Sequence, residues 1–241
     1  MLTMRSIWRT PRLGISLDAD AATARDVALV CVAVGVVGLS FGAIAVSSGF
    51  PLWMPLLMSV VVFAGASQFT FVAILAAGGG IFAAVAAGLL ANARHILFGF
   101  SIGDVLGKSL GWRLLGSHLM IDESVAFTLA QDSPKMRRAI YWACGAGLFV
   151  AWNVGVLAGS AGGTLITDTD AFGLDAAFPA VLLALILPAM RDRAIRNAAL
   201  AGAVIAVGAS FITPVGVPVL LALAALVLVV PIPRRRRAAI G

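Results

Sequence analysis

The chain has 241 residues, 61% of them hydrophobic and only 12% charged, with a mean hydropathy of +1.04. That composition excludes a soluble domain and leaves no room for a soluble catalytic unit, so the chain reads as a polytopic membrane protein. The formal charge of +6 does not point to nucleic acid, because the basic residues cluster at the ends of apolar stretches, as the positive-inside rule requires.

The first 26 residues carry Arg5, Arg9, Arg12 and Arg25. Ala43-Ile44-Ala45 faintly resembles a signal cleavage site, but the apolar run before it, about twenty residues, is longer than a secretory core, so it reads as a retained first span. Further apolar stretches fall at 55–77, 81–101, 115–131, 138–165, 174–190, 197–213 and 215–231. The expected fold is therefore an all-α membrane bundle of about eight transmembrane helices. It is flanked by a basic segment at 1–26 and a basic tail at 232–241, with 27–231 as the transmembrane domain. Eight crossings with both termini in the cytoplasm place fourteen of the seventeen basic residues inside. Lys108 and Arg113 then lie outside and Arg94 in the membrane. The two cysteines, Cys31 and Cys144, sit in apolar runs without metal-ligand spacing and read as small hydrophobes.

Polar residues inside these stretches are the candidate site, since a charge at bilayer depth costs several kcal/mol and persists where it faces a pathway or a partner. In the second stretch, Gly65-Ala66-Ser67-Gln68 admits two readings. A helix broken near 65–68 would present freed amides and a half-helix N-terminus to a carboxylate; an unbroken helix would send Gln68 across to a neighbour. The Gly-Ala-Ser triplet recurs at 208–210, which raises an inverted-repeat arrangement.

In the third stretch, Asn92-Ala93-Arg94-His95 offers a guanidinium fork for a carboxylate. The alternatives for Arg94 are an ion pair with Asp122 or Glu123, or snorkelling to the interface. His95 could couple transport to a proton or simply pack on the small-residue stripe of Ala83, Ala87 and Ala91. Asp122-Glu123-Ser124 supplies acids for Arg94, for an ammonium group or for a proton, and in continuous helical geometry Asp122 shares a face with His118. Trp152 and Asn153 add a polar element to the fifth stretch, either for substrate or for a hydrogen bond within the bundle. Gly147, Ala151, Gly155, Gly159 and Gly163 make a small-residue face there, for internal packing or for docking a second subunit.

No zinc-protease, serine-hydrolase or phosphate-loop signature occurs, so the chain is not expected to be an enzyme, and no cofactor or metal is expected. The segments GLSFGAIAVSSGF at 38–50, FAGASQF at 63–69, NARH at 92–95, IDES at 121–124 and GLDAAFPA at 173–180 together resemble the AzlC-type large subunit of bacterial branched-chain amino acid exporters. The resemblance implies export of leucine, isoleucine, valine and methionine-like amino acids across the bacterial cytoplasmic (inner) membrane, with a small AzlD-type membrane subunit as partner. Read through that resemblance, Gly65, Ala66, Ser67, Gln68, Asn92, Arg94, Asp122, Glu123 and Asn153 are the candidate substrate residues, and His95, Asp122 and Glu123 the candidate proton carriers. The competing expectation is a non-transporting membrane scaffold whose buried charges are all paired internally.

Overall fold

A computed structural model of the chain describes residues 17–164, 183, 187, 189–214 and 216–228. These are helical almost throughout, with no strand among the described residues, as expected where lipid offers backbone amides no partner. The helices are α1 (Leu17–Ser47), α2 (Trp53–Val61), α3 (Gly65–Ala76), α4 (Ile81–Asn92), α5 (Arg94–Ile102), α6 (Leu110–His118), α7 (Asp122–Leu129), α8 (Pro134–Gly163), α9 (Arg193–Ser210) and α10 (Val217–Ala222). Among the described residues three helical stretches are long and apolar enough to cross a bilayer: Ala21–Ser47 in α1, Ile81–Ile102 spanning α4 and α5, and α8.

The scaffold is the pairing of α1 with α8. Glycine permits backbone-to-backbone approach here: a methyl group on Gly155 would overlap the carbonyl of Gly35, one on Gly159 that of Leu39, and one on Gly163 would stand 3.0 Å from that of Ala43. Partner numbers rise together along both helices, so the two are parallel. The small-residue face of 147–163 is thus filled from within by α1, with Gly147 against Cys31, and it is not a free docking face for a second subunit.

That parallel pair fixes the path of the rest. α1 and α8 begin at one end of the bundle, here the near end. Ile102 at the end of α5 packs with Tyr141, close to the start of α8, so α4 and α5 run from the far end to the near end. α1 delivers the chain to the far end, where α2 starts, and α3 must finish there too, since only Ala77–Gly80 separates it from α4. The second apolar stretch therefore turns back on itself. Its contacts agree: Ser59 on α2 donates to Asn153 of α8 at 2.6 Å, and the returning α3 lies antiparallel to α4, with Ser67 donating to the Gly88 carbonyl at 2.9 Å and Ile74 beside Ala84 and Ala87.

The fourth stretch does the same from the other end. Arg137 in the first turn of α8 donates to the carbonyl of Ser101 at 3.3 Å and meets Asp104 at 3.5 Å, while Trp142 donates to Val105 at 3.3 Å. The loop after α5 and the start of α8 therefore share the near end. α6 enters along α8, tied by the Tyr141 hydroxyl to the Gly116 carbonyl at 2.6 Å, and α7 returns. The expectation that both stretches cross is corrected on this point. Halves of 8 to 12 residues are about 12–18 Å long at 1.5 Å per residue, roughly half of a 30 Å hydrocarbon core.

α9 and α10 form a last hairpin, with Gly202 against Ala222 and Ala225. Gly216, at φ +92°, turns it against Ala83 and Ile74 at the far end, which returns Arg191, Arg193 and Arg196 to the near end. The apolar stretch at 174–190 lies outside the described residues save Leu183, Leu187, Ala189 and Met190. So do most of the basic segment at 1–26, which is already helical where description begins at Leu17, and the tail at 232–241. The repeated triplet occupies unlike places: Gly65 to Ser67 open α3, whereas Gly208 to Ser210 close α9.

Candidate functional site

The two hairpins enter from opposite ends, and their tips meet mid-bundle, where the Phe63 ring lies 6.1 Å from His118 and 5.0 Å from Phe149. Each tip has a local cause. α2 stops with the Val62 and Phe63 amides both on the Met58 carbonyl, and buried Phe63 takes φ +41°, a left-handed conformation unfavourable for a bulky side chain. The chain then restarts as α3, capped by its own Gln68, whose Oε1 accepts from the Ala64 amide at 3.2 Å. The break expected near 65–68 thus lies at 62–64, immediately before Gly65. Gly65 suits this spot because a Cβ there would stand 3.2 Å from the Trp152 ring.

At the second tip Ile121 is extended (φ −133°, ψ 170°), and its amide donates to the Ser124 hydroxyl at 3.0 Å. Asp122 and Glu123 then open α7, where they neutralise the partial positive charge of its N-terminus. Because the helix stops at 119–121, the face expected to join Asp122 to His118 does not exist: His118 ends α6. Between the hairpins, Ala93 donates to Leu90 and Ile96 to Ala93, at 3.1 and 3.2 Å. This tightened three-residue spacing re-aims Arg94 and His95 at the level of the tips.

These features enclose a cavity of about 530 Å³, walled by Val30, Val34 and Val37 of α1, Phe63, Gly65 and Ala66 of the first tip, Ile121 of the second, and Trp152 of α8. Arg94, His95, Asp122 and Glu123 also line it. Arg94 pairs with Asp122 at 2.7 Å, which selects one of the partners expected for it, but the two side chains are 42% and 44% exposed. The pair is thus not buried as a guanidinium so deep in sequence would require. An exposed pair contributes only about 0–1 kcal/mol, so either member can exchange its partner for a ligand. Glu123 has no salt bridge among the described residues.

A family model described as AzlC protein matches residues 29–166. The chain belongs to the AzlC family. It is 31% identical over 173 residues to an uncharacterized membrane protein of Archaeoglobus fulgidus, covering 70% of this chain and 74% of that one. It is 31% identical over 159 residues to the inner membrane protein YgaZ of Escherichia coli K12, covering 64% and 62%. An uncharacterized membrane protein of Helicobacter pylori matches at 34% over 90 residues, 37% of this chain and 39% of that one. No solved structure matches the chain.

The AzlC-matching region holds both tips, the bent central span and the α1–α8 scaffold, and ends before α9. It also holds a smaller cavity of about 170 Å³ between the tips, lined by Val62, Phe63, Ala64, Asn92, His95, Ser117, His118 and Met120. His95 borders both cavities. Its Nδ1 lies 3.0 Å from the Asn92 carbonyl; a carbonyl only accepts, so Nδ1 carries a hydrogen, and in the neutral ring Nε2 is an acceptor.

Not every expected site residue reaches the main cavity. Ser67 and Gln68 are buried inside the first hairpin and serve its packing and its cap. Asn92 faces the smaller cavity. Asn153 is spent on the bundle, accepting from Ser59 and donating to Phe149. Trp152, Phe63 and His118, which are not among the expected substrate residues, also border these cavities. Trp152 and His118 are polar-tipped side chains within apolar runs, and Phe63 opens the segment FAGASQF, but an apolar ring there gives no sign that it stands at a hairpin tip.

Proposed function

We propose that the chain is a secondary transporter of the bacterial cytoplasmic (inner) membrane that exports branched-chain and methionine-like amino acids. In this reading it works with a small AzlD-type subunit, coupled to protons, by alternating access. The observation that carries it is the asymmetry of two half-helix ends facing one cavity. α3 begins without an acidic residue in its first turn, so its free amides at Gly65 and Ala66, with Arg94 nearby, suit a carboxylate. α7 begins with Asp122 and Glu123, which suit an ammonium group. Apolar walls of Val30, Val34, Val37, Phe69 and Trp152 suit an aliphatic side chain. A neutral, apolar zwitterion matches all three. The bundle end carrying Arg25, Lys108, Arg113, Lys135, Arg137 and Arg138 is assigned to the cytoplasm by the positive-inside rule, and both termini go with it.

A thermal-shift panel on the purified chain, with and without a co-expressed small subunit, tests this. A ligand at about 100 times its Kd stabilises by about 2.7 kcal/mol, so leucine, isoleucine, valine and methionine should raise Tm while aspartate and lysine do not. The scaffold reading draws on the Arg94–Asp122 pair, which satisfies both charges within the chain. Indifference of Tm to every amino acid, together with no leucine flux in proteoliposomes, would decide for the scaffold.

A further inference from the structure

The smaller cavity has its own chemistry. It holds both histidines of the chain, one at the end of α6 and one in the first turn of α5, between two tips that come from opposite sides of the membrane. The carboxamide oxygen of Asn92 is buried in its wall without a hydrogen-bond partner. A buried acceptor in a polar cavity of this size calls for a donor inside it, and water fits. The free Nε2 of His95 faces the same need.

Among the described residues, the surroundings of His118 supply no fixed charge of their own. Phe63 and Phe149 pack on its ring, and His95 is the other titratable group in the lining. On the neighbouring α8, Tyr141 is held on the Gly116 carbonyl and Cys144 is buried. Arg113 lies further back on α6, exposed. Arg94, Asp122 and Glu123 stand in the main cavity, on the other side of Phe63 and Ala64.

We propose that the smaller cavity is a hydrated proton site, in which His118 and His95 pass one proton between them through water. The imidazolium of one ring releases its N–H proton to a water molecule, that water gives another proton to the lone pair of the other ring, and the water is regenerated with no other charge moved. Because the site lies between the two tips and shares Phe63, Ala64 and His95 with the main cavity, its proton occupancy acts on the contact that separates the two. His118 is the coupling group and His95 the link to the substrate. This rests on the transport reading for what the proton drives, but not for the existence of the site.

Two measurements test it. In the first, the full chain is labelled with 15N-histidine, and substituting either His assigns the two ring signals. Across the pH range in which the chain stays folded, both should respond to pH, and removing His95 should change the response of His118. A His118 signal that ignores pH, or one unaffected by His95→Gln, overturns the proposal even if the transport variants fail to fold. In the second, proteoliposomes carrying His118→Gln should retain leucine–leucine exchange at equal pH and lose leucine movement driven by a pH gradient. Gradient-driven transport that survives His118→Gln overturns it as well. A wild-type chain that exchanges no leucine even when reconstituted with a co-expressed small subunit ends the transport reading instead, and the ring signals then decide the site alone.

Discussion

Arg94 reaches Asp122 with only about half of either side chain covered. Breaking an exposed pair of this kind costs at most about 1 kcal/mol, so Arg94→Ala should leave the melting temperature nearly unchanged while leucine transport is lost. Arg94→Lys should recover little, because a point charge cannot hold a carboxylate by two parallel bonds. Full transport in the lysine variant would reduce Arg94 to a structural charge. Gln68 predicts the opposite pattern. Removing its cap from the Ala64 amide with Gln68→Leu should cost about 0.5–2 kcal/mol, visible in Tm before any effect on substrate affinity. The pairing of Arg94 was legible because a charge in apolar sequence demands a partner. Its exposure was not, since sequence does not show that two tips would leave a cavity around it.

At the scale of elements, the α1–α8 seam is where substitutions should hurt most. Gly159→Leu drives a side chain into the Leu39 backbone, and overpacking costs about 1–3 kcal/mol or more, so thermal stability should collapse. Gly162→Ala, three residues on with open space around its Cβ position, should be nearly neutral. Equal effects from the two would refute the seam. The hairpin tips were only partly legible. Small residues and Gln68 announced a break in the second stretch to within a few residues, but Leu119-Met120-Ile121 is apolar throughout and gave no sign that α6 stops there.

At the scale of the whole molecule, charge counting went astray for a definable reason. Two stretches turn back, not one, and their effects on parity cancel for every loop after α7. The distribution of basic residues is therefore nearly the same on either path, and only the two loops between the reversals, Ala77–Gly80 and the one holding Lys108, change sides. With both reversals, every basic residue among those described lies at the near end except Arg94 within the bundle. This yields a decisive experiment: cysteines placed at Lys108 and Arg137 should react with an impermeant reagent from the same side, and one placed at Ser48 from the opposite side. Labelling of Lys108 and Arg137 from opposite faces would restore a fourth stretch that crosses.

The parallel seam also sets an order of assembly. Gly35 meets Gly155, and Leu39 meets Gly159, so the first helix leaves the ribosome long before its partner exists. Until α8 is made, α1 must wait in the bilayer with its glycine face toward lipid, and the first hairpin lacks the Asn153 and Trp152 contacts that hold it in mid-membrane. The chain therefore inserts before it closes, and nascent chains stopped short of α8 are the stage at which quality control would find this protein most vulnerable.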